Sequence, residues 1–103
     1  MITMQYVFAV PANQRDAFEE AWSRVTEIYL HYSNSGGSRL WFDREKGLYI
    51  ALALWSSREA YDTREDHIPA NNPELDKWGK AMTDTGYTLV EKRELEDRTN
   101  LWK

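Results

Sequence analysis

Hydrophobic and polar positions along this chain change period several times, and each change marks an element. Over residues 2–10, Ile2, Met4, Tyr6, Phe8 and Val10 alternate with Thr3, Gln5, Val7 and Ala9. A period of two predicts a strand with one bulky face, and Pro11 stops it. The spacing then lengthens, with Phe18, Ala21, Trp22, Val25, Ile28, Tyr29 and Tyr32 recurring every three or four residues. They predict a helix over residues 13–32 with one apolar stripe, Asn13 as its N-cap and Asp16 facing its positive end. The composition of "SNSGGS", residues 33–38, predicts a flexible loop.

"SRLWFD" and "GLYIALALW" follow, separated by "REK", and read as a hairpin. In its second strand Leu48, Ile50, Leu52 and Leu54 alternate with Tyr49, Ala51, Ala53 and Trp55. Neither row is polar, which predicts burial of both faces. After Trp55 the period becomes helical, and Ser56 with Glu59 fits a capping box. Pro69 interrupts that helix, and Asn72 followed by Pro73 starts another with Leu75, Trp78 and Met82 on one face, closed by Gly86. "YTLVEKREL" is the last strand. The order β-α-β-β-α-β predicts an α+β, ferredoxin-like domain with an antiparallel sheet over residues 1–95. Residues 96–103 read as a charged tail carrying Leu101 and Trp102 as exposed apolar side chains.

Composition narrows the function. With 103 residues, 42% hydrophobic and 14% aromatic, the chain builds one packed domain. A domain this small hides only about two-thirds of its unfolded surface, so pairing with a second copy helps it. A net charge of −4 argues against nucleic acid and against anionic membranes as partners. The absence of cysteine removes disulfides, thiolate catalysis and cysteine-based zinc sites, and His31 and His67 are too far apart in sequence to make a metal motif. The sequence shows neither a secretory leader pattern nor a spanning apolar run, so a cytoplasmic location is expected.

The element order together with "ALWSSREAYD" resembles the antibiotic biosynthesis monooxygenase family of dimeric α+β barrels. The residues that carry the resemblance are Val10, Pro11, Asp16, Ala17 and Phe18, then Trp55, Ser56 and Ala60. It implies two sheets packed face to face across a two-fold axis, helices outside, and a pocket between sheet and helices. It also implies one of three activities: cofactor-free oxygenation of phenols or quinols, haem degradation, or modification of small signalling molecules. The haem-degrading branch uses a strand-one Asn, a Trp beyond the strand-end aromatic and a His further along. Here those positions hold Gln5, Arg64 and no His, with His67 too early, so haem is rejected.

Several side chains are candidates for a site. Tyr6, Trp22, Tyr29, Trp41 and Tyr61 suit a planar phenolic ligand by stacking and hydrogen bonding, and suit an aromatic core equally. Trp55 is either a ring plugging the strand-to-helix corner or a substrate wall. His67, just before the helix break, is either a proton acceptor at a pocket mouth or a solvated loop histidine. Tyr6 is the other candidate acceptor. Arg64, one turn beyond Tyr61, either steadies a phenolate or pairs with a nearby acid. His31 complements the negative end of the first helix. The runs "REAYDTRED" and "EKRELEDR" alternate in sign and read as solvated faces. The expected function is a cofactor-independent monooxygenase, using no metal, flavin or haem, whose partners are a small aromatic molecule and a second copy of itself. A non-catalytic ligand-binding dimer, or an isomerase or lyase on the same scaffold, are the alternatives.

Overall fold

The computed structural model describes residues 1–99, so Leu101 and Trp102 lie outside the described residues. Four strands, β1 (Ile2–Ala9), β2 (Ser35–Asp43), β3 (Leu48–Trp55) and β4 (Thr88–Glu96), form one antiparallel sheet in the order β2-β3-β1-β4. The helices are α1 (Arg15–Tyr32), α2 (Arg58–Asp62) and α3 (Pro73–Asp84). This is the ferredoxin-like α+β arrangement that the alternation predicted, and within one chain the sheet is open rather than closed into a barrel.

Strand β1 is central because both flanking strands pair with it, Tyr6 lying between Ala51 of β3 and Lys92 of β4. Its helix-facing row packs under α1. Phe18, fully buried, sits 5.3 Å from the Phe8 ring and 5.1 Å from Tyr49. Met4, Ala53, Trp55 and Tyr61 form a second buried cluster toward the other end of the sheet. Burying an aromatic or large aliphatic side chain contributes about 1.5–3 kcal/mol, so these two clusters hold the helical layer to the sheet. Along β3, Tyr49, Ala51, Ala53 and Trp55 are buried beneath the helices, as expected. The opposite row is only partly covered, with Leu54 38% exposed, so a single chain buries one face of β3 fully and leaves the other open.

Local signals hold where one residue decides the geometry, and fail where the backbone has a choice. Asn72 Oδ1 accepts the Leu75 amide at 3.0 Å with Pro73 at N1, as predicted for α3, and Gly86 adopts φ +77° beyond its end. Asn13, however, caps nothing. A 3₁₀ turn over Ala12–Gln14 precedes α1, in which the Gln14 amide bonds the Pro11 carbonyl at 2.8 Å, and the cap position of α1 is Gln14. Residues 35–38 of the segment predicted as a flexible loop are the start of β2. Gly36 and Gly37 bulge opposite the single residue Leu54. A Cβ on Gly36 would come within 2.9 Å of the Leu54 Cβ, and Gly37 has φ +98°, so glycines here fit a bulged edge strand rather than a loop.

The capping box also shifts by one residue. Ser57, not Ser56, caps α2, its Oγ accepting the Ala60 amide at 3.0 Å, and Glu59 lies in the first turn. α2 ends at Asp62, earlier than the expected interruption at Pro69, and a 3₁₀ turn, Arg64–His67, carries the chain to Ile68. Ser57→Ala should therefore lower stability by about 0.5–2 kcal/mol in a urea melt, whereas Ser56→Ala should leave the midpoint unchanged.

Candidate functional site

A cavity of about 200 Å³ lies between the sheet and its helical cover. Its floor comes from the sheet: Tyr6 and Phe8 of β1, and Ala51, Ala53 and Trp55 of β3. The roof is α1, through Trp22, Val25 and Tyr29, with Met82 of α3 and Arg64 closing the sides. The two alanines explain why space remains. In a close-packed interior a pair of methyl side chains between Tyr49 and Trp55 leaves a hollow that large neighbours would fill.

Of the residues expected to form a site, Tyr6, Trp22, Tyr29, Trp55 and Arg64 come together around this cavity. Tyr61 stands behind it, buried, and accepts a hydrogen bond from the Tyr6 hydroxyl at 3.2 Å. Trp41 does not join them. Its strand partner is Ile50, on the opposite side of the sheet from Tyr49 and Ala51, and its own contact is Arg39, 5.2 Å from the ring. A period of two cannot say which face of a strand meets the helices, and that is where the Trp41 assignment fails. His67 is solvent-exposed in the 3₁₀ turn and does not line the cavity. His31 lies in the last turn of α1, edge-on to Tyr32 and exposed, in the end-complementing position expected of it.

Arg64 is held from both sides. Its guanidinium donates to the Tyr61 carbonyl at 2.8 Å and lies 4.1 Å from the Tyr61 ring centroid. Its own carbonyl accepts the Ser33 hydroxyl, and Tyr29 donates to the neighbouring Glu65 at 3.2 Å. These bonds tie the turn to the C-terminal end of α1. Burial, then the Glu65 carboxylate, raise the Tyr29 pKa. Burial, then the hydrogen bond to Tyr61, push Tyr6 up strongly, so Tyr6 is held protonated. Tyr61 moves the other way. Burial alone would raise it, but the Lys92 ammonium, the Tyr6 hydroxyl as donor and the Arg64 guanidinium bring it below its ordinary value.

Lys92 is the site residue the sequence did not reveal. It stands in a charged run that reads as solvated, yet the β1–β4 register sets it opposite Tyr6 and places its ammonium 5.1 Å from the Tyr61 ring centroid. One further donor is unusual. The Trp55 indole N–H is buried with no acceptor among the described residues, while the ring packs edge-on to Tyr61 at 5.7 Å. A buried donor left unpaired costs about 1–3 kcal/mol, and an oxygen atom of a bound molecule would relieve that cost.

A larger hollow of about 480 Å³ is an open groove on the outer helical layer, between α1 and the start of α3. Several of its polar groups are already engaged, Arg24 with Glu27 and Trp78 with Glu74, and none of the tyrosines with shifted ionisation reaches it. Among the described residues no group of three or more His, Asp or Glu side chains is arranged to hold a metal.

Among solved structures, this chain is similar to SnoaB, a cofactor-independent oxygenase from Streptomyces nogalater, with a TM-score of 0.74 and 18% identity. The match covers 99% of this chain and 97% of that one. The fold is that of the antibiotic biosynthesis monooxygenases. Proposed members of that group from Deinococcus radiodurans (TM-score 0.72, 10% identity, 100% and 98% covered) and Chloroflexus aurantiacus (0.74, 12%, 96% and 94%) are similar over nearly the whole chain. No family model matches the sequence, and no curated protein does.

The site makes Trp55 both wall and joint. Trp55→Ala removes a buried ring and should cost about 3–5 kcal/mol in a denaturant melt. Trp55→Phe keeps most of the packing and removes only the unpaired donor. It should cost far less stability and weaken binding of a naphthol, measured by fluorescence quenching of the remaining tryptophans.

Proposed function

We propose that this protein is a cofactor-independent oxygenase acting on a small phenol- or quinol-like ring bound in the cavity under α1. The observation that carries the reading is the buried, unpaired Trp55 N–H on a cavity that also presents the Tyr6 hydroxyl and the Arg64 guanidinium. Two donors, the Trp55 N–H and the Arg64 guanidinium, and the accepting oxygen of Tyr6, whose proton goes to Tyr61, stand among aromatic walls and suit a flat molecule whose oxygen atoms gain negative charge during reaction. The likeness to SnoaB supports the same chemistry.

In this mechanism the substrate hydroxyl loses its proton to the Tyr6 side of the cavity. His67, exposed and outside the cavity, is replaced in that role. Arg64 and the Trp55 N–H hold the resulting anion. Its charge reaches a ring carbon, which forms a bond to molecular oxygen, and the oxygen-bound anion takes back the proton to give a hydroperoxide. Loss of water breaks the O–O bond and leaves a carbonyl. One oxygen atom ends in the product and the other in water, with molecular oxygen as the oxidant and the ring carbon as the group oxidised. The reaction needs no metal, flavin or haem. Trp22 and Tyr29 confine the ring and keep water from the anion.

The same reading has two copies packed through the open sheet face, where Val7, Ile50 and Leu52 share a side with Trp41 and Arg39. Sedimentation at micromolar concentration should show a dimer. Leu52→Asp should release monomers that keep their helical content. Ala53→Asp, which places a charge under the helices instead, should unfold the chain.

Oxygen consumption with a panel of quinols and anthrones tests the chemistry directly. Uptake matched mole for mole by carbonyl product is the expected result, and Arg64→Ala should lower kcat by about 100-fold through lost anion stabilisation. Product without oxygen uptake would make the protein an isomerase or lyase, and binding without turnover a ligand carrier.

A further inference from the structure

We infer that Tyr61, reached through Tyr6, is the final proton acceptor of the cavity, and that Lys92 is the positioning residue that keeps Tyr61 an acceptor. The inference deepens the oxygenase reading and rests on it for the substrate, but not for its first test.

The geometry makes a two-step path. Tyr6 lines the cavity and Tyr61 does not, while the two hydroxyls are 3.2 Å apart with Tyr6 donating. A proton leaving a ligand therefore reaches Tyr61 through Tyr6. Tyr61 as tyrosinate takes the Tyr6 proton while Tyr6 takes the proton of the ligand hydroxyl. The step ends with a ligand anion, a neutral Tyr61 and an unchanged Tyr6, and it needs no oxidant. A phenol held protonated by burial suits a relay better than a terminal acceptor, which is the role Tyr6 has here.

The charges around Tyr61 decide which hydroxyl can carry the negative charge. Arg58 of α2, Arg64 of the turn and Lys92 of β4 lie against the Tyr61 ring, Asp62 and Glu94 reach Arg58, and Tyr29 of α1, with Glu65 on its hydroxyl, acts on Tyr6. Arg58 is neutralised by Asp62 at 2.8 Å and Glu94 at 2.7 Å, and Glu65 accepts the Tyr29 hydroxyl. Arg64 and Lys92 form no ion pair among the described residues. Two unneutralised cations thus lie against a buried phenol. Their tasks differ by position. Arg64 also lines the cavity and follows the charge as it passes to the ligand, whereas Lys92 is absent from the lining and acts on the tyrosine pair alone.

The test begins without a substrate. Near-ultraviolet titration of tyrosinate absorbance in the intact protein should show one tyrosine ionising below the ordinary value of about 10. That component should vanish in Tyr61→Phe, persist in Tyr6→Phe, move to higher pH in Lys92→Met and return in Lys92→Arg. If it survives in Tyr61→Phe, or if Lys92→Met leaves it in place, the inference is wrong. Activity gives the second arm. With a quinol that wild type oxidises, Lys92→Met should move the rising limb of kcat against pH upward with KM unchanged, and Tyr61→Phe should lower kcat by about 100- to 10,000-fold. An unshifted limb overturns the relay even if the titration behaves. Failure of every quinol to react while the titration behaves as stated would reject the oxygenase reading and leave Tyr61 as the acceptor.

Discussion

The pairing of β1 with β3 in one register, Tyr6 opposite Ala51 and Met4 opposite Ala53, is the constraint on which the rest depends. A shift of one residue would turn the alanines toward the open face and bring Ile50 and Leu52 under α1. The cavity would then be filled with leucine and isoleucine, and Tyr6 would lose its place beside Tyr61. Two aromatic anchors hold the register, with Tyr49 packed on Phe18 at one end and Trp55 on Tyr61 at the other. The alanines between them are small because the ends are large.

That arrangement couples stability to chemistry at one corner. Trp55 ends β3 inside the second buried cluster, and Ser57 then turns the chain into α2, which carries Tyr61 back against the same ring. The next residues bring Arg64 over the Tyr61 face, and the bonds from Ser33 and Tyr29 fasten this turn to α1. The corner is therefore a joint whose inner surface is the wall of the cavity. A buried indole with no acceptor among the described residues is a poor choice for a joint alone, since its N–H loses water without gaining a partner there. The donor has a use only where an oxygen atom can reach it.

The electrostatics of the site depend on strands far apart in sequence. Lys92 and Tyr61 are brought together by β4 crossing to the far side of β1, and the cations on the two sides of Tyr61 come from different elements. A chain with net charge −4 thereby keeps a positive point at its cavity. Some acidic residues elsewhere stand in surface pairs such as Lys80 with Asp84, which screen easily and contribute little to stability.

Much of the fold was legible in the linear sequence because its signals are local. Alternation marks β1 and β3, three-and-four spacing marks α1, and Asn72-Pro73 with Gly86 bounds α3. Each depends only on neighbours a few residues away. The same locality explains the misses. At Asn13, Ser56 and residues 35–38 a nearby backbone group, an adjacent serine and a strand partner take the role that the local signal suggests. For the site, the sequence by itself determined which aromatic and basic side chains were available, and Tyr6, Trp22, Tyr29, Trp55 and Arg64 were among those picked out. Only the tertiary structure decided which face of each strand met the helices, setting Trp41 aside and leaving His67 in solvent. It alone placed Lys92 against Tyr61 and set the Tyr6 and Tyr61 hydroxyls within hydrogen-bond distance. The ease of ionising a phenol is set by burial and by charges within a few ångströms, and for Tyr61 several of those neighbours lie far away along the chain.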